Sequence, residues 1–463
     1  MTLIESVPNR AINLSLTGLF AFVAYLQLEL YPAGMHEDDV FFYFQIARNA
    51  IENGSLSFDG STTTNGFHLL WMAVLVTGGM VFSQAIAIET ALLATSAIPL
   101  IIFAWICRPI TFVQILTAAY FVGFGMEGLL GALLFIALAR SIDHGNSALC
   151  ASIGFLIVMT RVDYSLPLCL IAFWMLWHNS RLSVRILGSI AAGLTVTALG
   201  NWLIAGDLLS VSSRLTAAEA AEFDMAQLAR INFYSLGNMI RLCIWAGAIG
   251  TILYAWDPTR ETRRELVLQP LFHATLASFL LVHGLGGFLR DWYFAMPVLV
   301  AIYGAGKATS GYLRPAIPAL ALGVLLPASA AATKFYRDFD TAQAYRSFVE
   351  DLRSTTTGPL FVYDGSGYIA WHLHPHPVIN GDGLVNSRSF ALNQFDPAWM
   401  QAYLRDHQVR QFLSDFNRDH CLNSVVCCEE GSLQKIAQFD GSRTGLSDRL
   451  YAFAEGKSCE LAE

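Results

Sequence analysis

From its start to about residue 334 the chain alternates long apolar runs with short polar connections, and after that it changes to short apolar runs set in polar sequence. The apolar runs fall at 12–31, 67–84, 86–106, 110–124, 128–140, 147–160, 164–178, 183–205, 236–256, 268–286, 292–306 and 315–332. An upright helix needs about 20 apolar residues to cross ~30 Å of hydrocarbon. The runs 86–106 and 183–205 reach that length, and the shorter ones are expected to be tilted, broken or longer than drawn. The pattern predicts an all-α polytopic membrane domain over 1–333, with about 11 crossings, followed by a small α/β domain over 334–463. In that second part, runs such as Pro359–Tyr363 and Pro377–Ile379 read as strands, and helices are expected near 340–353 and 398–407.

Composition supports the membrane reading. The 463 residues are 54% hydrophobic and only 14% charged, against about 25% charged in soluble domains, and mean hydropathy is +0.47. An ordinary cytosolic enzyme, a disordered chain and a collagen-like chain are all excluded. The net charge of −8 and the lack of a dense basic run argue against a nucleic-acid partner. The first apolar stretch, Ala11 to Tyr31, lacks a small-residue cleavage site and reads as a retained helix.

Orientation follows from the basic residues of the short loops. Arg108, Arg140, Arg181, Arg185, Arg260, Arg263, Arg264, Lys307 and Arg314 mark one side, taken as cytoplasmic. Loops 32–66 and 206–235, the turn near Glu127, Arg161 to Asp163, Arg290 and the C-terminal part then lie outside. The run 67–84 breaks the alternation, so it either re-enters or consists of two half-length pieces, and backbone of that kind lines a cavity or is packed in protein. Four cysteines (Cys107, Cys150, Cys169, Cys243) fall in apolar runs and read as packing. Cys421, Cys427, Cys428 and Cys459 fall in the external part, where several disulfide pairings, or less readily a zinc site, are compatible with the spacing.

The candidate chemistry sits in the first external loop. His36-Glu37-Asp38-Asp39 opens a helical pattern in which Val40, Phe44, Ala47 and Ile51 share one face, with Gln45, Asn49 and Glu52 away from it. That describes a helix lying at the interface with its apolar side in lipid or against the bundle. Asp38 and Asp39 are either plain helix-start residues or carboxylates held at the membrane surface as a base or a metal ligand. The loop continues through Phe58-Asp59-Gly60 to Thr64-Asn65-Gly66-Phe67-His68-Leu69-Leu70-Trp71.

This block resembles the bacterial GT-C-fold glycosyltransferases, in which an Asp-Asp or Asp-Glu pair precedes an aromatic interfacial helix and a Phe-Asp-Gly turn leads into Thr-Asn-Gly-Phe-His-Pro-Leu-Trp. Leu69 stands here in place of the usual Pro. Gly125-Met126-Glu127, Arg161-Val162-Asp163, Arg290-Asp291-Trp292-Tyr293 and Asn380–Asn386 extend the likeness, which is similar to that of arabinofuranosyltransferases and pilin-modifying transferases. The resemblance implies an enzyme of a bacterial inner membrane that moves a sugar from a polyprenyl-phosphate carrier to an external hydroxyl on a glycan, lipid or protein, usually with inversion. It implies Asp38 as general base with Asp39 as its partner, and Glu37, Asn65, His68, Glu127, Arg161, Asp163, Arg214, Arg290, Tyr293 and Asp382 as donor- or acceptor-binding residues. No cofactor is called for, and a divalent cation is compatible with the acidic loop. Arg214, in Ser210-Val211-Ser212-Ser213-Arg214, is a departure, since relatives carry a Lys nearer Thr216.

Two further patterns read as decoys. Gly123-Phe124-Gly125-Met126-Glu127-Gly128 spells a dinucleotide fingerprint without a preceding strand, so its glycines are expected to serve helix packing. His372, His374 and His376 alternate as strand-borne metal ligands would, but Pro375 and Pro377 favour an irregular edge or loop. Asp364-Gly365-Ser366-Gly367-Tyr368 reads as a turn. A lipid-linked-sugar transporter or flippase, and a non-catalytic envelope-assembly subunit, are the rival functions. A transporter should show internal repeats with matching broken helices, which this sequence lacks.

Overall fold

The computed structural model describes residues 3–30, 38–107, 112–113, 115–116, 119, 124–221, 224–234, 274, 281–282, 293, 296–297, 299–300, 303, 339–363, 365–394, 396–414, 433–439 and 449–453. Much of run 110–124, most of the four runs between 236 and 332, Glu37, Arg290 and the tail cysteines lie outside them.

The first part of the chain is helical. α1 (Leu3–Gln27), α2 (Asp38–Asn53), α3 (Leu69–Phe82), α4 (Ile88–Ser96), α5 (Ile98–Ile106), α6 (Gly128–Asp143), α7 (Ser147–Thr160), α8 (Ser165–Leu176) and α9 (Ser180–Ala205) follow in order. α10 (Val211–Ala221) and α11 (Met225–Tyr234) occupy what the sequence presents as a loop. Local chemistry sets the ends. Asn146 and Asn179 accept hydrogen bonds from Leu149 N and Leu182 N, capping α7 and α9, and left-handed Gly206 terminates α9. The run 86–106 is divided at Ala97, where Pro99 enters the first turn of α5. The run 67–84 is one 14-residue helix, α3, and not two half-length pieces.

Among the described residues, Ile88–Ile106 and Ser180–Ala205 are long and apolar enough to cross a membrane by length and composition. Phe173, Trp177, Val184, Leu199, Trp202 and Leu203 leave α8 and α9 with exposed apolar surface. Exposed apolar side chains of this kind accord with the membrane reading of the sequence.

α2 departs from the expected interfacial helix. It is buried all round from Val40 to Asn49, polar positions included. Asn49 donates to the carbonyls of Ser57 and Phe58, and Arg48 pairs with Glu89 at 2.6 Å and donates to Trp371 O. The reason is a second cover: α2 lies between the bundle and a helix of the C-terminal part.

That part begins with α12 (residues 339–355) and continues through β1 (Leu360–Val362), α13 (Ser366–Leu373), β2 (Val378–Asn380), α14 (Arg388–Asn393), α15 (Pro397–Asp406), β3 (Gln411–Ser414), β4 (Leu433–Gln438) and β5 (Arg449–Phe453). The sheet order is β2-β1-β3-β5-β4, with β1 parallel to β2 and β3 and the last two pairings antiparallel. Strand alternation sorts its faces. Phe361 packs with Phe390, Met400, Tyr403 and Phe412, while Leu360 and Val362 join Tyr345, Tyr368 and Trp371 in a core continuous with α2.

The segment Asp364–Tyr368 is therefore a helix start rather than only a turn, although Asp364 itself lies outside the described residues. α13 has no side-chain cap of its own, and left-handed Gly365 precedes it. Its cap comes from α2: Gly367 N and Tyr368 N donate to Asp38 Oδ2 and Oδ1 at 3.0 and 2.9 Å. Such close approach needs glycine, because a Cβ at residue 367 would collide with Asp38 O and press on Phe42. The Arg48 guanidinium lies 3.6 Å over the Trp371 ring and Phe41 meets Tyr368 edge-on at 5.3 Å, extending the grip along α2.

Gly367→Ala is expected to push α13 off α2, costing about 1–3 kcal/mol as an overpacked contact does. Thermal unfolding of the purified full chain in detergent should show the drop, and an unchanged melting temperature would mean that the two helices are not held this closely.

Candidate active site

The first turn of α2 carries two carboxylates with different surroundings. Asp38 is engaged by the two amides of α13. Asp39 is half-buried and lies on the side of Tyr43, one turn later, which is buried. Burial first, and then the Glu127 and Asp39 carboxylates, raise the Tyr43 phenol well above its ordinary value, so it remains a protonated donor. The Tyr43 ring stacks on His68, centroids 6.4 Å apart.

His68 leads to a buried polar cluster. Its Nε2 lies 3.5 Å from Glu127 Oε1. Glu127 occupies the turn before α6, where Gly125 adopts a φ of +101° and accepts a 3.0 Å hydrogen bond from Trp71 Nε1. The glycines read as helix packing thus include a turn residue: a side chain at 125 would be strained and would meet Val40 of α2. Arg161 follows the end of α7 in an extended conformation that aims its fork inward. Its Nη1 donates to Glu127 Oε1 at 2.6 Å, and Nε and Nη2 hold the Asp163 carboxylate at 3.0 and 3.1 Å. Tyr293 lies against the same guanidinium, 4.7 Å from Cζ to ring centre.

Burial alone would raise the Glu127 carboxyl, but the charge of Arg161 and its 2.6 Å hydrogen bond outweigh it and hold the group below the usual glutamate range. Burial pushes the His68 imidazole down, favouring its neutral form. Glu127 is 1% exposed, and its Oε2 has no hydrogen-bond partner among the described residues. A buried carboxylate oxygen in that state keeps an unused acceptor.

Beside this cluster three loops meet. Asn65 donates to Leu209 O and accepts from Val211 N, both at 3.1 Å. Thr64 Oγ1 donates to Asn386 O at 2.8 Å. Asp207 receives Arg214 Nε and Nη2 at 2.5 and 2.6 Å and Arg388 Nε at 3.1 Å, and the Arg214 hydrogen bonds hold its carboxyl below the usual range. Asp382 accepts from Leu384 N at 2.8 Å, shaping its own turn.

Of the residues singled out in the sequence, Asp39, His68, Glu127, Arg161, Asp163 and Tyr293 thus come together. Asn65 and Arg214 stand at the loop junction, Asp38 caps α13 from across the chain, Asp382 accepts from its own turn, and Glu37 and Arg290 lie outside the described residues. Asp207, Arg388 and Gly367 carry no sequence pattern that announces their contacts. The histidine series separates: His372 ends α13 and bonds Leu28 O, while His374 pairs with Glu52 at 3.0 Å. Among the described residues no group of three His, Cys, Asp or Glu could hold a metal ion.

No family model matches the chain, and no curated protein matches it. Solved structures do. ArnT from Cupriavidus metallidurans, in a crystal structure bound to undecaprenyl phosphate, aligns with TM-score 0.54 at 15% identity over 96% of this chain and 99% of that one. An oligosaccharyltransferase from Archaeoglobus fulgidus, in complex with Zn and sulfate, aligns with TM-score 0.43 at 14% identity over 86% and 67%. The likeness to ArnT shows the GT-C fold for this chain.

Removing one partner of a buried ion pair is expected to cost about 3–5 kcal/mol, so Arg161→Gln should lower the melting temperature. It should also reverse the pH response. Held below its unfolded value, the Glu127 carboxyl stabilises the native chain at neutral pH and loses that contribution as the medium is acidified. Without Arg161, burial is expected to lift the group above its unfolded value. Stability should then be greatest in acid and fall as pH rises. Parallel pH profiles for the two proteins would show that Glu127 does not depend on Arg161.

Proposed function

We propose that this chain is a membrane glycosyltransferase that takes a sugar from a polyprenyl-phosphate carrier and transfers it to an extracytoplasmic hydroxyl. One observation carries the reading: in a fold shared with a protein crystallised with undecaprenyl phosphate, Asp39 opens α2 beside the Tyr43–His68–Glu127–Arg161 cluster. A hydroxyl nucleophile needs a positioned base. The sequence points to Asp38 for that role, with Asp39 as partner. Both Asp38 oxygens already accept backbone amides of α13, which commits that carboxylate to the helix start. The base role is therefore assigned to Asp39 and the anchoring role to Asp38.

In this reading Tyr43 and His68 border the reacting centre. The unpartnered Glu127 oxygen receives a ligand hydroxyl, and Arg161, clamped by Asp163, keeps Glu127 ionised. Asn65 and Arg214 hold the loops that form the rim. Residues 1–333 form the catalytic membrane domain of a bacterial inner-membrane protein, and 334–463 cover its outer face. Inversion at the anomeric carbon follows from direct attack by the activated hydroxyl. The acceptor is a glycan, a lipid or a protein such as pilin, and pentofuranose, hexose and aminosugar donors all suit the site. A divalent cation is compatible with the acidic loop.

Asp39→Asn is expected to lower transfer by about 10²–10⁴-fold, the usual cost of losing a general base. Asp38→Asn, which retains one acceptor oxygen for α13, should lose far less, and the opposite ranking would return the base to Asp38. Purified protein given a nucleotide sugar alone should be inactive and gain activity with a lipid-linked donor. Efficient turnover with nucleotide sugar in the absence of lipid carrier would overturn the proposal.

A further inference from the structure

The motif Asn380–Asn386 plays no part in the cluster around Glu127, yet it reaches both ends of the segment from Asp38 to Gly66. At one end Asn380, the last residue of β2, donates from Nδ2 to Ser366 Oγ at 2.8 Å. Ser366 is fully buried and opens α13, and the next two amides are those that hold Asp38. At the other end Asn386 O accepts from Thr64 Oγ1, and Gly66 lies so close to Leu384 that a Cβ there would run into its carbonyl oxygen.

The motif is also closed on itself. Asn386 Nδ2 donates to Asn380 O at 2.9 Å, and Gly381 N returns to Val362 O of β1 at 2.7 Å. One piece of chain, anchored in the sheet, therefore sets the acidic turn of α2 against the Thr64–Gly66 turn.

The Asn380 carboxamide is costly where it stands. The residue is 1% exposed, and its Oδ1 is buried with no partner among the described residues. An apolar side chain of similar volume would fill the place without that penalty. What the amide supplies is its donor to Ser366. The start of α13 is thus bonded from both sides, by Asn380 from the sheet and by Asp38 from α2.

We infer that Asn380 is a positioning residue for Asp39. It acts through Ser366, the first amides of α13 and Asp38, and a shift of that helix start passes to Asp39 because the two acids share one turn. The inference goes beyond the proposed function and rests on it only for the reaction that Asp39 serves. A misplacement of ~1 Å at a reacting centre costs about 10²-fold in rate. Loss of one bond among several, with Asp38 still in place, is expected to cost about tenfold.

The double variant Asn380→Leu/Ser366→Ala removes both partners of the bond, a change that is nearly neutral for stability where one-sided removal is not. The purified full chain in detergent should then melt as the wild type does, which separates placement from folding. Transfer is measured with whichever undecaprenyl-phosphate-linked pentose, hexose or aminosugar the wild type accepts. The variant should lose about tenfold in kcat with the donor KM unchanged. Hydrogen exchange at Gly367, Tyr368 and the first turn of α2 should quicken several-fold, as it does in a loosened turn. Asn380→Leu alone should show the same loss in kcat. Wild-type kcat and exchange, a loss confined to KM, or a kcat that falls only in step with the melting temperature would overturn the inference. If the wild type transfers from none of these donors, the enzymatic reading falls and the exchange comparison decides alone. Faster exchange then upholds the positioning of the acidic turn, and unchanged exchange overturns it.

Discussion

A helix that begins with no side chain to cap it must find an acceptor for its first amides, because buried and unpaired they would cost a hydrogen bond each. α13 finds that acceptor in Asp38, and the rest of the architecture follows from the contact. It fixes α13 against α2 and draws Trp371 under the Arg48 guanidinium. It buries α2 on the side that the bundle leaves open. The hydrophobic core then runs without interruption from the helices around α2 into the sheet. Two parts that look separable in the chain share one interior, and the acidic motif lies at their seam.

The seam gives the neighbouring carboxylates distinct properties. Asp38 has both carboxylate oxygens engaged by amides of α13. Asp39, one residue on, acts instead on the Tyr43 phenol, which Glu127 and Arg161 also reach. Rigid placement of the first orients the second, since both ride on the same helical turn. The aromatic content of α2 serves the same end: Phe41 and Phe44 meet Trp371, Phe42 meets Phe58, and Tyr43 meets His68, so each face of the helix is fixed by a ring contact.

Much of this was legible in the residues. The apolar periods located α3, α6, α7, α8 and α9 closely, and the first-loop block pointed to the fold later seen in the ArnT comparison. Glu127, Arg161 and Asp163 were legible one by one, because charge within apolar sequence demands partners, while His68 stood out only as part of the first-loop block. Other features were not. An apolar face on α2 does not reveal that its polar face is also covered, since that cover comes from residues more than 300 positions away. The Asp364–Tyr368 segment contains turn residues, and only its long-range cap makes it a helix start. Arg388 sits in polar sequence where one arginine looks like any other. Contacts made by chain topology leave no local period.

The span between Asp38 and its partners, 329 and 330 residues along the chain, also sets an order of events during synthesis. At roughly 5–20 residues per second, the acidic motif is made about 16–66 s before the helix that steadies it. Until α13 emerges and docks, the first turn of α2 lacks its fixed partner and the loops around Asn386 and Arg388 lack theirs. The centre is thus assembled last although its acids are made first, and a truncated chain ending before Gly367 would carry the motif without the means to hold it.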